Sequence, residues 1–236
     1  MFAIKPDPRL SRERDPAALA ALAALGERTR PIAASRTRLL PVAPALAGLL
    51  PDGALRRGST LTVGGPGDDG ALSVALALVA SASASGSWCA LVGHPGLGAV
   101  AARDLGVDLG RLALLPHPGP AWAEATAAVL EGVDLVLLCP PFPPRQAMAR
   151  RLVARARERR AVLVVVPGRV GWPEPPDLQL RIDGVTWEGV DAGEGHLRRR
   201  RMTVTVAGRR SAARPTRRRL WLPDPDGAVS DAGTED

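Results

Sequence analysis

A chain of 236 residues, 46% of them hydrophobic, is long enough to bury one substantial core and too apolar for a disordered protein, so one main domain is expected. The formal net charge of +7 is carried almost wholly by arginine, with Lys5 the one lysine; in a chain also rich in Ala, Gly and Pro, that bias alone is weak ground for nucleic-acid binding. Two cysteines in apolar runs, Cys89 and Cys139, and three scattered histidines, His94, His117 and His196, argue against a disulfide framework and against a zinc site.

Residues 1–15 are charged and proline-bearing, without the apolar core of a leader peptide. The longest apolar stretch, residues 71–80, is too short to span a bilayer and is broken by Ser73. A cytoplasmic protein without membrane contact is expected, with association to the nucleoid as a second candidate. Asp15 and Pro16 offer a cap and first-turn pair for a helix to about Leu25. Residues 31–51, with Pro31, Pro41, Pro44 and Pro51, read as an irregular connector. Residues 1–48 are therefore an N-terminal helix plus connector.

From residue 49 onward strands and helices alternate. Strands are expected at 59–64, 87–93, 112–115, 133–139 and 161–166, with helices at 70–84, 97–105, 120–131 and 145–160 between them. The runs VDLVLLC and AVLVVV are almost continuously apolar, as strands covered on both faces of a mainly parallel sheet must be. After Pro176 only strands follow, at 178–183, 186–190, 202–206 and 219–222, which points to antiparallel strands extending the sheet at one edge. The predicted class is α/β over residues 49–222. Residues 223–236, acidic and rich in Gly, Pro and Ser, read as a disordered tail.

The strand ending at Gly64 runs into GGPGDDGALS and then a helix, which is the setting of a phosphate-binding loop. Gly65 and Gly70 fit the first part of G-x-x-x-x-G-K-[ST], but Ala71 and Leu72 stand where a lysine and a magnesium-binding hydroxyl are needed. Ser73 comes one residue late, and Asp68 and Asp69 add negative charge where a polyphosphate would sit. A plain glycine-rich turn is the simpler reading of the same residues.

The order of segments resembles RecA. LPDGALRRGSTLTVGG is similar to its lead-in strand and phosphate loop, GSWCALVGHPGLGAVAARDLGVDLGRLALL to the next strand, helix and strand, and GVDLVLLCPP to its Walker B strand. Within that superfamily, the short length, proline-rich entry and lost motifs resemble ImuA-type proteins. The resemblance implies a RecA-like accessory protein of error-prone translesion synthesis. Its implied partners are an ImuB-like Y-family pseudo-polymerase and, through it, a DnaE-type polymerase and the sliding clamp, with RecA as a further candidate; the arginine patches add DNA, which makes a sequence-independent single-stranded DNA-binding module the alternative function and an active RecA-type ATPase the third. Against RecA, the Walker B aspartate aligns with Cys139, the water-activating glutamate near Pro95 and the loop lysine with Ala71. A thiol is too soft for magnesium and a proline cannot act as a base, so no hydrolysis and no cofactor are expected.

What remains to act with is arginine. The helix at 145–160 places Arg150, Arg151 and Arg155 off its apolar stripe, and a solvated charged face is as good a reading as phosphate contact. The connections at 140–144 and 167–177 are short and proline-stiffened, unlike the mobile DNA-binding loops that the resemblance implies, and Trp172 in the second is expected to pack on its own domain. Near the C-terminus, Arg198 and Arg199 together with Arg217, Arg218, Arg219 and Trp221 combine charge with an apolar anchor, the composition of a partner-binding edge. That region is expected to be dispensable for the fold of the core.

Overall fold

The computed structural model describes residues 38–65, 70–191, 194–209 and 214–233. The helix expected at 16–25 and the loop residues Pro66, Gly67, Asp68 and Asp69 lie outside the described residues. In chain order the elements are β1 (Leu39–Leu40), α1 (Pro44–Ala47), β2 (Leu55–Arg56), β3 (Thr60–Gly64), α2 (Ala71–Ala84), β4 (Cys89–Val92) and α3 (Ala99–Asp104). There follow β5 (Leu112–Leu115), α4 (Trp122–Val129), β6 (Leu135–Leu138), α5 (Gln146–Arg159) and β7 (Val162–Val165). The strands β8 (Leu178–Asp191), β9 (Glu194–Gly208), β10 (Thr216–Trp221) and β11 (Ser230–Asp231) complete the chain.

Nine strands form one sheet in the order β11-β10-β9-β8-β3-β7-β6-β4-β5. The six from β8 to β5 run parallel, and β9, β10 and β11 are added antiparallel beyond β8. This is the mixed α/β arrangement that the apolar runs predict. Every residue of β4, β6 and β7 is buried, because helices cover both faces there. One core lies under α1, α2 and α3 and reaches along β8, β9 and β10 through Leu180, Ile182, Met202, Val204, Val206 and Leu220. A second core lies on the opposite face under α4 and α5, around Val92, Val136, Leu138, Leu163 and Val165.

Three boundaries differ from the sequence reading. Residues 38–50 are not a loose connector: β1 pairs with β2, and Leu40, Leu46, Leu49 and Leu50 are buried in the first core. Pro44 sits in the first turn of α1, where its missing N–H costs nothing. The two strands expected at 178–183 and 186–190 are one long strand, β8, whose pairing with β9 slips between Ile182 and Gly184.

The third correction concerns the tail. Residues 223–233 are ordered: Asp224 accepts hydrogen bonds from the backbone N–H groups of Asp226 (3.0 Å) and Ala228 (2.9 Å). Val229 then packs on the first core, and β11 pairs with β10. A local Asx turn plus one apolar contact outweighs the acidic composition here. Residues 234–236 lie outside the described residues.

Candidate functional site

In an open α/β sheet, ligands collect at the carboxyl ends of the parallel strands. Here those ends form a crevice of about 280 Å³. Its walls are the first turn of α2 (Ala71, Leu72), the turn after β4 (Gly93, His94), the exit of β6 (Cys139, Pro140) and the segment after β7 (Val166 to Val170). Ala71 and Cys139, named from the sequence as stand-ins for a lysine and a carboxylate, thus meet in one crevice. Pro95 follows in the turn after β4 and is exposed, outside the crevice wall. Ser73 is half-buried on α2. His94 and Arg169 also line the crevice; neither carried a spacing that could have placed it there from sequence.

The backbone is built for close approach. Gly93 has φ +81°, and a Cβ on it would lie 2.1 Å from the carbonyl oxygen of Cys139. Gly93→Ala is therefore expected to strain the left-handed backbone and push β4 and β6 apart, at a cost of about 1–3 kcal/mol, measured by urea denaturation. An unchanged midpoint would show that the β6 exit relaxes freely. Gly70, at φ +85°, caps α2 with no side-chain hydrogen bond to the cap. A Cβ there would come within 3.0 Å of the guanidinium carbon of Arg200 and of Cε of Met202.

Among its described residues the crevice offers a thiol, an imidazole and a guanidinium, from Cys139, His94 and Arg169. Burial pushes the Cys139 thiol up to about 12, so it is a neutral thiol at physiological pH and a poor ligand for a hard cation. Burial likewise pushes Cys89 up to about 12. Among the described residues no three His, Cys, Asp or Glu side chains come together as metal ligands. Neither a lysine nor a carboxylate is among the described residues that line the crevice.

The arginines fall into separate groups. On α5, Ala149, Leu152, Val153 and Ala156 are buried and the arginines point outward. Arg155 pairs with Glu131 and with Glu158 (2.8 Å), and Arg150 lies 3.6 Å from Glu174, while Arg151 is exposed. Exposed pairs of this kind contribute little to stability. Trp172 packs beside α5 against the second core, as expected of a lone loop tryptophan.

At the other edge, strand pleating splits the run Arg198 to Arg201. Arg200 turns into the core, 7% exposed; its Nε donates to the carbonyl of Leu222 (2.6 Å) and its guanidinium lies 5.0 Å from the Trp187 ring. Arg199 and Arg201 point the opposite way, onto Trp221 at 4.1 and 5.9 Å. Arg198 is exposed. Arg217, Arg218 and Arg219 line a groove of about 270 Å³ with Asp231 and Gly233.

The family described as the MT3502 N-terminal domain matches residues 48–174. This chain belongs to that family. The MT3502 N-terminal domain so placed runs from the end of α1 to the segment after β7 and contains every residue named in the crevice wall. The strands β8 to β11 lie beyond the matched residues. The chain is also similar to the uncharacterized protein Rv3395c of Mycobacterium tuberculosis (strain ATCC 25618 / H37Rv), 43% identical over 100 residues. Those residues are 42% of this chain and 49% of the relative, so the chain spans about half the length of the curated relative it matches. No helix among the described residues is long and apolar enough to cross a membrane.

Proposed function

We propose that this member of the MT3502 N-terminal domain family is a non-catalytic accessory protein of error-prone translesion DNA synthesis that acts through protein–protein contacts. The observation that carries the non-catalytic half is the crevice, where Ala71 and a neutral Cys139 meet at the place a RecA-type enzyme needs a lysine and a carboxylate. The biological half rests on the resemblance to ImuA-type proteins. It makes an ImuB-like pseudo-polymerase the direct partner, with a DnaE-type polymerase and the sliding clamp reached through it. A cytoplasmic location follows from that role.

Two measurements test the two halves separately. Calorimetry with ATP and magnesium is expected to show no binding at micromolar concentrations; magnesium-dependent turnover above a boiled control would sink the non-catalytic reading. Affinity purification of the full chain from DNA-damaged cells is expected to recover the ImuB-like protein. Recovery of unrelated partners alone would remove the translesion role and leave the non-catalytic reading standing.

A further inference from the structure

The chain leaves β6 through Cys139, Pro140, Pro141, Phe142, Pro143, Pro144 and Arg145, and α5 begins at Gln146. Each proline fixes its own φ and restricts the residue before it, so this connection has few conformations to choose from. Pro140 is buried in the crevice wall. Pro141 packs on the turn after β4, its Cδ 3.5 Å from the place of a Cβ on Gly93. The chain bends at Pro141 and Phe142 and presents Phe142 outward, 50% exposed, the most exposed aromatic side chain among the described residues. Pro143 beside it is exposed too, and Arg145 follows in an extended conformation, φ −72° and ψ 145°.

We infer that Phe142 is a fixed anchor that enters an apolar pocket of a protein partner, a pocket with carboxylates on its rim for Arg145 and Arg151. This deepens the accessory reading and rests on it, because it assigns the contact surface for the ImuB-like partner. Charge selects the occupant. Arg145 and Arg151 are exposed, and neither pairs with an acid among the described residues. Arg151 stands about 9 Å beyond Arg145 along the axis of α5. No acidic residue lies in the first turn of the helix. Aromatic side chains and arginine are the residues enriched at the centre of protein interfaces. A ring already held by prolines also loses little freedom on docking, which lowers the cost of association.

The same groups do not make a track for nucleic acid. A single strand binds through successive phosphates in a positively charged groove. Along α5 the other arginines are engaged by acids that repel phosphate: Arg150 lies 3.6 Å from Glu174, Arg155 pairs with Glu131 and Glu158, Arg157 lies 3.9 Å from Asp177, and Arg159 pairs with Glu131. Phe142 stands out on a bend and not along a groove. One projecting ring with two guanidinium groups behind it suits a pocket in a protein.

The test is biolayer interferometry of the full chain against the purified ImuB-like protein, at about 50 and about 300 mM salt. The unmodified chain is expected to bind. Phe142→Ala should weaken binding by about tenfold or more, chiefly through faster dissociation. The double variant Arg145→Glu, Arg151→Glu should slow association about fivefold or more at low salt, and by less at high salt. Leu114→Ala, which trims an apolar side chain 54% exposed on β5, should change little. Circular dichroism of each variant separates loss of binding from loss of fold.

Phe142→Ala binding within about twofold of the unmodified chain would overturn the inference and leave the accessory reading standing. A larger loss in Leu114→Ala would move the contact to β5, with the same consequence. Unchanged association of the double arginine variant at both salts would overturn the acidic rim. If the unmodified chain does not bind the ImuB-like protein at all, the translesion reading falls and this inference with it. Phe142-dependent binding of a labelled oligothymidylate in its place would give the anchor to nucleic acid.

Discussion

A chain ended after Gly208 is expected to lose its cooperative fold. From the sequence the segment beyond Gly208 is expected to be dispensable, because the apolar parallel strands end near Val166. The structure reverses this. Leu220 and Leu222 are fully buried in the first core, and β10 contributes a ladder of six pairs to β9. Truncation also removes both backbone partners of Arg200: its N–H donates to Pro223 (2.9 Å), and its carbonyl accepts from Leu222 (2.7 Å). The buried guanidinium of Arg200 loses its acceptor on Leu222 as well. Deleting a buried leucine costs about 2–5 kcal/mol, and a domain of this size has about 5–15 kcal/mol in all, so losing two leucines and a strand leaves little. The single change Leu220→Ala should lower stability by about 3 kcal/mol in urea denaturation, and the truncation should abolish the near-ultraviolet dichroism. A truncated chain with the native spectrum and an unchanged urea midpoint would show that β8 and β9 hold without β10.

The parallel sheet was legible because strands buried on both faces need unbroken apolar runs, and few other structures tolerate them. The antiparallel edge was harder for identifiable reasons. Asp183-Gly184 looks like a turn, yet it is the irregularity inside β8 that leaves Asp183 as an extra residue against β9. The start of β9 was hidden because Arg198 to Arg201 reads as a solvated run; only the pleat, once Met202 is known to be buried, assigns Arg200 inward and Arg199 and Arg201 outward. Prolines at 41 and 44 signal a break, and nothing local shows that Leu46 will be buried in the first core.

The candidate site was legible to the same degree. Ala71 and Cys139 each follow a strand that the sequence marks, so their convergence at the carboxyl ends of β3 and β6 follows from strand order. His94 and Arg169 enter the crevice through loops, whose course no periodicity encodes. The face of β8 to β10 that carries Arg181 and Arg217 depends on cross-strand register, which sets both opposite Thr205 and leaves no mark in a single sequence.

Asp134→Ala is expected to cost about 3–5 kcal/mol, although the residue touches neither the crevice nor the arginine face. Asp134 precedes β6 at the amino ends of the parallel strands. Its carboxylate accepts from Nη1 of Arg57 (2.6 Å) and from the backbone N–H of Trp88 (3.0 Å). Its own backbone bonds Trp88 and Val162, so one residue ties together the entries to β4, β6 and β7. The two charged side chains are only 15% and 13% exposed, and Nε of Arg57 has no hydrogen-bond partner. Removing the carboxylate therefore leaves a largely desolvated guanidinium without its counter-charge, which costs more than the pair itself contributes. The pairing makes a discriminating control possible. The double variant Arg57→Met, Asp134→Asn removes both charges but keeps an acceptor for the Trp88 N–H, and it should recover most of the stability lost in Asp134→Ala. Urea denaturation of the three proteins measures this directly. If Asp134→Ala falls within about 1 kcal/mol of the unmodified chain, water reaches Arg57 easily and the pair is a surface pair in all but position.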